Sequence, residues 1–192
     1  MLDCVCMVRT FIAVRVSDSV RQSLTSLIGE LRNSGADVKW VAPENLHLTM
    51  KFLGNVLETR VDEMAEAVSR ACEGISPFEM SLEGVGAFPS IRRPKVVWVG
   101  VIKGKDVLIN LNKNIEAELE PIGFERERRR FSPHLTIGRL RREGRPGDLA
   151  DRLSMEFNGG ECVVESVYLM KSTLTPKGPI YEELKHATLK HN

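Results

Sequence analysis

Two copies of one tripeptide hold the residues whose types and spacing best suit catalysis. They are His47-Leu48-Thr49 and His134-Leu135-Thr136, and their histidines stand 134 − 47 = 87 residues apart. Each copy opens a segment with the composition of a β-strand. Chance is a poor explanation for a repeat that uses two of only four histidines, although duplication of a packed strand would also repeat its sequence.

Strand geometry predicts that the histidine and threonine of each copy act together. Side chains two residues apart on a strand share one face, about 6.5 to 7 Å apart along the chain. The opposite face is then apolar: in the second copy it carries Leu135 and Ile137, and in the first it carries Leu48, Met50 and Phe52. We therefore expect each apolar face to pack inward, while the two polar faces enclose a cleft.

A cleft with two imidazoles and two hydroxyls suits displacement at phosphorus. One imidazole can activate water while the other protonates the leaving oxygen. Histidine fits both tasks because its reference pKa of about 6.5 allows one neutral and one protonated copy near pH 7. We predict His47 and His134 as the acid–base pair, and Thr49 and Thr136 as contacts to the non-bridging phosphate oxygens.

The remaining sequence must supply the elements that position these strands. Apolar runs and helical spacing predict strands near 8–16, 39–41, 46–54, 78–86, 96–102, 134–139, 161–171 and 180–186, and helices capped near Ser17 and Thr59 and lying near 108–119 and 148–155. Segments 88–94 and 125–133 are expected to be loops. Helices and strands mix without a strict β-α-β rhythm, which predicts an α+β fold.

Length and composition limit the organisation and setting of the protein. A chain of 192 residues with 42% hydrophobic residues predicts a single domain spanning residues 1–192. No apolar run reaches the ~20 residues of a membrane helix, so we expect a cytoplasmic protein without membrane contact. Four cysteines without a Cys-x-x-Cys pair predict reduced, mostly buried thiols, and the sequence lacks the spacing typical of a metal site.

Charge is balanced overall but basic around the second tripeptide. The net charge is +1, whereas segment 125–145 carries eight arginines against three acids. These are Arg126, Arg128, Arg129, Arg130, Arg139, Arg141, Arg142 and Arg145. A solvated loop is the plain interpretation, but excess arginine beside a predicted phosphate site favours contact with RNA.

The sequence resembles the 2H phosphoesterases, and within them the RNA 2',3'-cyclic phosphodiesterases that are also called 2'-5' RNA ligases. The matching segments are Arg9-x-Phe11-x-Ala13, Trp40-Val41, 43–54 around the first tripeptide, 133–139 around the second, and the ending Ser172-x-Leu174-x-Pro176-x-Gly178 with Tyr181. The resemblance implies two pseudo-symmetric lobes around a central cleft, each an antiparallel sheet with helices on its outer face. We place the approximate halves at 1–94 and 95–192, with strands able to exchange between lobes.

The resemblance also implies an activity and residue roles. The reaction would be metal-independent hydrolysis of an RNA 2',3'-cyclic phosphate end to a 2'-phosphate, without a cofactor, and reversible 2'-5' RNA ligation would be a possible accompanying reaction. His47 would donate a proton and His134 would accept one. The family carries a phosphate-contacting arginine at the position of Arg139, which strict alternation would place on the face opposite His134 unless Gly138 ends or bulges the strand.

Other predicted contacts and alternatives stay open. Lys51 shares the His47 face and Arg130 lies in the basic loop, so both are candidate substrate contacts. Phe11 could stack on a base, whereas Trp98 is expected in the core. His186-Ala187-Thr188 is interpreted as surface structure. The alternatives to RNA cyclic-end hydrolysis are a phosphodiesterase for small cyclic nucleotides or 2'-5' oligonucleotides, and a non-catalytic RNA-end binding module. No protein partner is indicated, and we expect a monomer.

Overall fold

The protein is described by a computed structural model covering residues 6–141 and 148–191. Its strands are β1 (Met7–Arg15), β2 (Val38–Trp40), β3 (His47–Leu57), β4 (Phe78–Ser90), β5 (Arg93–Val101), β6 (His134–Leu140), β7 (Asn158–Val164), β8 (Ser166–Thr175) and β9 (Gly178–Thr188). Its α-helices are α1 (Asp18–Arg32), α2 (Val61–Ala71), α3 (Lys105–Leu119) and α4 (Asp148–Arg152). Cys4, Arg142 and Arg145 lie outside the described residues.

Local sequence signals account for most of these elements. Helix α1 begins after Ser17, whose hydroxyl accepts a hydrogen bond from the backbone N–H of Val20. The predicted Thr59 cap is wrong, because a 3-10 turn over Glu58–Arg60 precedes α2 and its N-cap, Arg60, makes no side-chain capping bond. The loop expected at 88–94 is also wrong: β4 and β5 form a hairpin that continues to Ser90 and resumes at Arg93.

The described strands form one antiparallel sheet in the order β7-β4-β5-β6-β3-β1-β8-β9, with β2 paired to β6. We call β3-β1-β8-β9 the first lobe and β6-β5-β4-β7 the second lobe. Helices and a wholly antiparallel sheet confirm the predicted α+β class.

Each lobe contains strands from both of the approximate halves of the chain, 1–94 and 95–192. Strand β4, from the first half, pairs with β5 and β7, while β8, from the second half, pairs with β1. The first half of the chain therefore contributes β4 to the second lobe, and the second half contributes β8 and β9 to the first lobe. The physical reason is backbone hydrogen bonding: β4 bonds to β5 and β8 bonds to β1, and these bonds join segments from the two sides of the sequence midpoint.

The helices cover the face of the sheet opposite the predicted cleft. Helix α2 packs on β8, β9 and α3 in the first lobe, and α1 packs on β7 in the second. Leu48 and Leu135 are fully buried in the core cluster that these helices help to form. The apolar sides of both tripeptides therefore face inward, as predicted.

Candidate active site

The two lobes meet where β3 and β6 pair, and this seam joins the two tripeptides. The paired residues are Leu48 and Leu135, the middle residues of both copies. In an antiparallel pair, side chains of the flanking residues point to the opposite face from the paired leucines. His47, Thr49, His134 and Thr136 are consequently brought together on one face, and each is only half-buried.

An equivalent bulge follows each tripeptide and changes which side chains reach the cleft. In β3 the register against β1 skips Met50, and in β6 the register against β5 skips Ile137. A bulge sends two successive residues toward one side, so the alternation shifts by one position beyond it. Arg139 is exposed and lines the cleft with His134 for this reason. The bulge lies at Ile137, one residue before the predicted Gly138.

The first bulge corrects two predictions. Phe52, expected on the apolar inner face, is 55% exposed and lines the cleft. Lys51, predicted as a substrate contact or a solvated side chain, is 4% exposed, and its ammonium group donates to Glu116 and to the backbone oxygen of Glu125. The extra residue Met50 turns Lys51 inward, so its charge is already matched inside the protein.

His47 is held at both ring nitrogens. Its Nδ1 lies 2.7 Å from the backbone oxygen of Asn45, and its Nε2 lies 3.0 Å from the hydroxyl of Thr49. A carbonyl only accepts, so Nδ1 carries a proton and Nε2 is the atom that can exchange one at the cleft. Burial lowers the pKa of His47 below its usual value, and the bond to Asn45 partly opposes that shift.

His134 makes the same Nδ1 bond to a backbone carbonyl as His47 and lies in a more open position. Its Nδ1 lies 2.7 Å from the backbone oxygen of Ser132, which again leaves Nε2 for proton transfer. Burial is the largest cause that lowers the pKa of His134; the Ser132 bond raises it, and the positive charge of Arg139 lowers it further. A histidine held neutral in this way suits a general base.

Aromatic rings flank both histidines. The ring centroid of His47 lies 4.9 Å from Phe11 and 5.2 Å from Tyr181. The centroid of His134 lies 5.0 Å from Phe88 and 6.4 Å from Trp98. The expectation of a core Trp98 is wrong, because this side chain is only half-buried and packs beside the histidine. Phe11, the candidate for base stacking, is 3% exposed.

The cleft beside His134 has a volume of about 360 Å³ and a basic lining. Thr49, Thr136, Arg139, Arg129 and Arg130 all line it. Within residues 6–141 and 148–191, these three arginines have no carboxylate partner, in contrast to Arg126, which pairs with Glu120 at 2.8 Å. The cleft therefore offers unpaired cations and two hydroxyls beside an imidazole, a set of groups that suits a phosphate.

A second pocket of about 300 Å³ is lined by His47. Phe11, Tyr181 and Met170 provide apolar surface, and Arg15 and Glu44 provide charge at this pocket. Thr49 links the two spaces, because it lines the first and is hydrogen-bonded to the histidine that lines the second. His134 therefore lines the first pocket and His47 lines the second, and the two pockets differ in character.

The third His-x-Thr lies away from both pockets. His186 is exposed and its Nδ1 lies 2.9 Å from Glu183 Oε1.

In the described part of the chain, no three histidine, cysteine or acidic side chains group as metal ligands. Among the same residues, no helix has the length and apolar character needed to cross a membrane.

Sequence reasoning missed several residues that line or support the cleft. Phe88 fell in an expected loop, and Arg129 was only one of a run of charges. Asn112 and Glu116 were not considered because both lie on the helical face of α3 that also carries its apolar residues. A polar residue at helical spacing among buried leucines was the available signal for both.

The chain matches the sequence model of the LigT-like phosphoesterases twice, over residues 14–98 and 99–181. It is 41% identical to an RNA 2',3'-cyclic phosphodiesterase of Archaeoglobus fulgidus over 92% of this chain and 98% of that protein. It is 37% identical to a protein of the same name from Thermotoga maritima, over 92% of each chain. The chain belongs to the LigT-like phosphoesterase family, as the sequence predicted.

Solved structures share the fold over nearly the whole chain. TT0787 of Thermus thermophilus matches with a TM-score of 0.79 and 27% identity, covering 95% of this chain and 98% of that one. E. coli LigT complexed with 3'-AMP matches with a TM-score of 0.77 and 24% identity, covering 97% of this chain and 100% of that one. The two-lobed sheet is therefore the fold of this phosphoesterase family.

Proposed function

We propose that this protein hydrolyses RNA 2',3'-cyclic phosphodiester ends to 2'-phosphomonoesters by metal-independent acid–base catalysis with two histidines. The observation that carries the proposal is the Leu48–Leu135 pairing, because both His-x-Thr sets then share one face of the sheet. Thr49, His134 and Thr136 also line a cleft whose arginines have no carboxylate partner among the described residues. The names of the Archaeoglobus and Thermotoga relatives support the choice of substrate.

In the proposed reaction, water attacks phosphorus in line with the 3' oxygen of the ribose. His134 Nε2 removes a proton from the water as the new P–O bond forms. The bond from phosphorus to the 3' oxygen breaks, and His47 Nε2 delivers a proton to that oxygen. The products are a 2'-phosphomonoester and a free 3' hydroxyl, and proton exchange with solvent restores both imidazoles.

The roles of the other groups follow from charge. The attacked phosphate gains negative charge on its non-bridging oxygens, which Thr49, Thr136 and Arg139 would stabilise from the cleft wall. Arg129 and Arg130 would attract the neighbouring phosphates of an RNA strand, because both are exposed and lack an acidic partner in the described chain. Phe11 is proposed to act through its contact with His47, and any stacking on a base would be confined to its exposed edge.

Ligation would use the same groups. If the 5' hydroxyl of a second RNA takes the place of water and attacks the 2',3'-cyclic phosphate, the 3' oxygen leaves and a 2'-5' linkage forms. The pocket between Phe11, Tyr181 and Met170 could accept the nucleoside of the second RNA, because it adjoins His47 and offers apolar surface. We propose cyclic-end hydrolysis as the main activity and this reversible ligation as a secondary one.

The test is digestion of an oligoribonucleotide with a 2',3'-cyclic end, followed by separation of the 2'- and 3'-monoesters. The proposal predicts ring opening mainly to the 2'-phosphate. A mainly 3'-phosphate product would reverse the assigned direction of attack, and binding without ring opening would favour an RNA-end binding module. Faster turnover of a cyclic mononucleotide or a 2'-5' dinucleotide than of the oligonucleotide would favour the alternative substrates.

A further inference from the structure

A buried ion pair lies directly behind the basic cleft. Lys51 Nζ and Glu116 Oε2 are 2.7 Å apart, and their side chains are 3% and 10% exposed. Taking two charges out of water is costly, and apolar residues of similar size often stabilise a protein equally well. A role in fixing geometry is therefore a better explanation of this pair than a contribution to stability.

The pair holds the start of segment 125–133, which we call the arginine loop. Lys51 Nζ also donates to the backbone oxygen of Glu125 at 2.8 Å. Glu116 Oε2 also accepts from the backbone N–H of Glu127 at 3.3 Å. Each member of the pair thus fixes one backbone group at the entrance to the loop, four and two residues before Arg129.

Helix α3, which carries Glu116, also contacts the bulge that turns Lys51 inward. Asn112, one turn before Glu116 on α3, donates from Nδ2 to the backbone oxygen of Met50 at 2.9 Å. In the second copy the residue after the bulge, equivalent to Lys51, is Gly138, which has no side chain to form an ion pair. The network is therefore a property of the first lobe alone, although the loop that it holds leads into the second tripeptide.

We propose that the Lys51–Glu116 pair is a positioning device that holds the arginine loop over the cleft, so that Arg129 and Arg130 meet the phosphates of a bound RNA strand. Lys51 lies in the cleft wall, but its ammonium group is bonded to Glu116 and to the backbone of Glu125, so the pair would act through the loop and not on the reacting phosphate. The inference rests on the proposed function, because it assigns the pair to recognition of RNA rather than to ring opening itself.

The test compares two double variants at matched ion pairs of α3. Lys51→Met/Glu116→Leu removes both buried charges together, so that neither is left unpaired. Arg70→Met/Glu118→Leu removes an exposed pair of the same 2.7 Å length that joins α2 to α3, and that pair does not contact the loop. KM and its salt dependence are measured with a cyclic-ended oligoribonucleotide and with a 2',3'-cyclic mononucleotide.

The proposal predicts a change mainly in KM for the oligonucleotide. That KM rises on the order of tenfold in the first variant, the effect expected when about one charge-assisted hydrogen bond is removed. The slope of log KM against log salt concentration falls by about one for each phosphate that the loop no longer neutralises. KM for the mononucleotide, which has no neighbouring phosphate, changes much less. The control variant keeps the oligonucleotide KM and salt slope of the wild type.

Two further measurements keep the inference testable if the first variant fails to fold. In the wild type, the amide of Glu127 should exchange with solvent more slowly than those of Arg128 and Arg129. Arg129→Gln/Arg130→Gln should reproduce the rise in oligonucleotide KM. Equal exchange at these amides, an unchanged oligonucleotide KM in a folded variant, or equal losses with both substrates would overturn the positioning role. Failure of the proposed function is separate, since the wild type would then not open the ring.

Discussion

The two tripeptides share a backbone frame but differ in the charge around their histidines. Both histidines donate from Nδ1 to a carbonyl two residues earlier, and both strands bulge at the third residue after the histidine. Beyond the bulge, however, the first copy presents Phe52 and the second presents Arg139. The repeat therefore supplies the geometry, and the difference between Phe52 and Arg139 makes the charge exposed at the cleft unequal.

This difference favours separate roles for the two histidines. Burial lowers both pKa values, but only His134 has a neighbouring cation among the causes of its shift. A cation disfavours the imidazolium form, so His134 is the copy better suited to accept a proton from water. His47, bonded to Thr49 and enclosed by Phe11 and Tyr181, lacks that cation and is the better donor once the anionic phosphate is bound nearby.

Removal of either histidine should have the largest effect. His47→Ala and His134→Ala should each lower kcat by about 10²- to 10⁴-fold, the range for loss of a general acid or base. Thermal unfolding should show nearly unchanged stability, since both rings lie at the edge of the cleft. His186→Ala is the matched control, because it removes the histidine of the third His-x-Thr, and it should retain full activity. Near-normal turnover by either cleft variant would remove that histidine from the mechanism.

Replacement of Arg139 should make the two copies more alike. Arg139→Met should lower kcat/KM by about tenfold to a hundredfold through loss of charge stabilisation at the phosphate. It should also raise the pKa of His134, because the repulsion of its imidazolium form is gone. Since the base must be neutral, the acidic limb of the pH profile of kcat/KM should move to higher pH.

The pH profile has a matched control at the equivalent position of the first copy. Phe52→Met alters the cleft wall without changing its charge, so the acidic limb should stay at the wild-type pH. An acidic limb that moves in neither variant, or that moves equally in both, would contradict the assignment of His134 as the base.

Removal of metal ions should have the smallest effect. The proposed proton transfers use two imidazoles, and the phosphate charge is met by hydroxyl and guanidinium groups. Excess EDTA should therefore leave the rate of ring opening unchanged in both the wild type and the residual activity of Arg139→Met. Loss of activity that zinc restores would instead indicate a metal-dependent reaction.

The sequence predicted the catalytic candidates better than their surroundings. The placement of His47 and Thr49 on one face could be predicted, because side chains of a strand alternate between faces and residues 47–49 lie in a regular part of β3. The positions of Phe52 and Lys51 were wrong because a bulge depends on the partner strand, and one sequence alone does not show its pairing register. The ion pair to Glu116 was likewise hidden, since its residues lie 65 positions apart and meet only through packing of α3 on β3.

The strand order of the two lobes likewise depends on long-range pairing that one sequence does not show. The repeat correctly indicated two related segments, which the family match divides at residue 98. It did not indicate which strands exchange between the lobes, because the pairing of β4 with β7 and of β8 with β1 depends on long-range hydrogen bonding and not on order along the chain. The α+β class was predictable because it depends on the kinds of elements and not on their partners.

The division of labour between the histidines can be measured most directly with a cyclic substrate that carries sulfur at the bridging 3' position. A thiolate leaves without protonation, so the reaction no longer needs a general acid but still needs a base to activate water. We expect His47→Ala to regain most of its lost rate on this substrate, whereas His134→Ala should remain as impaired as on the oxygen substrate. Recovery by His134→Ala with continued loss in His47→Ala would contradict this division of labour.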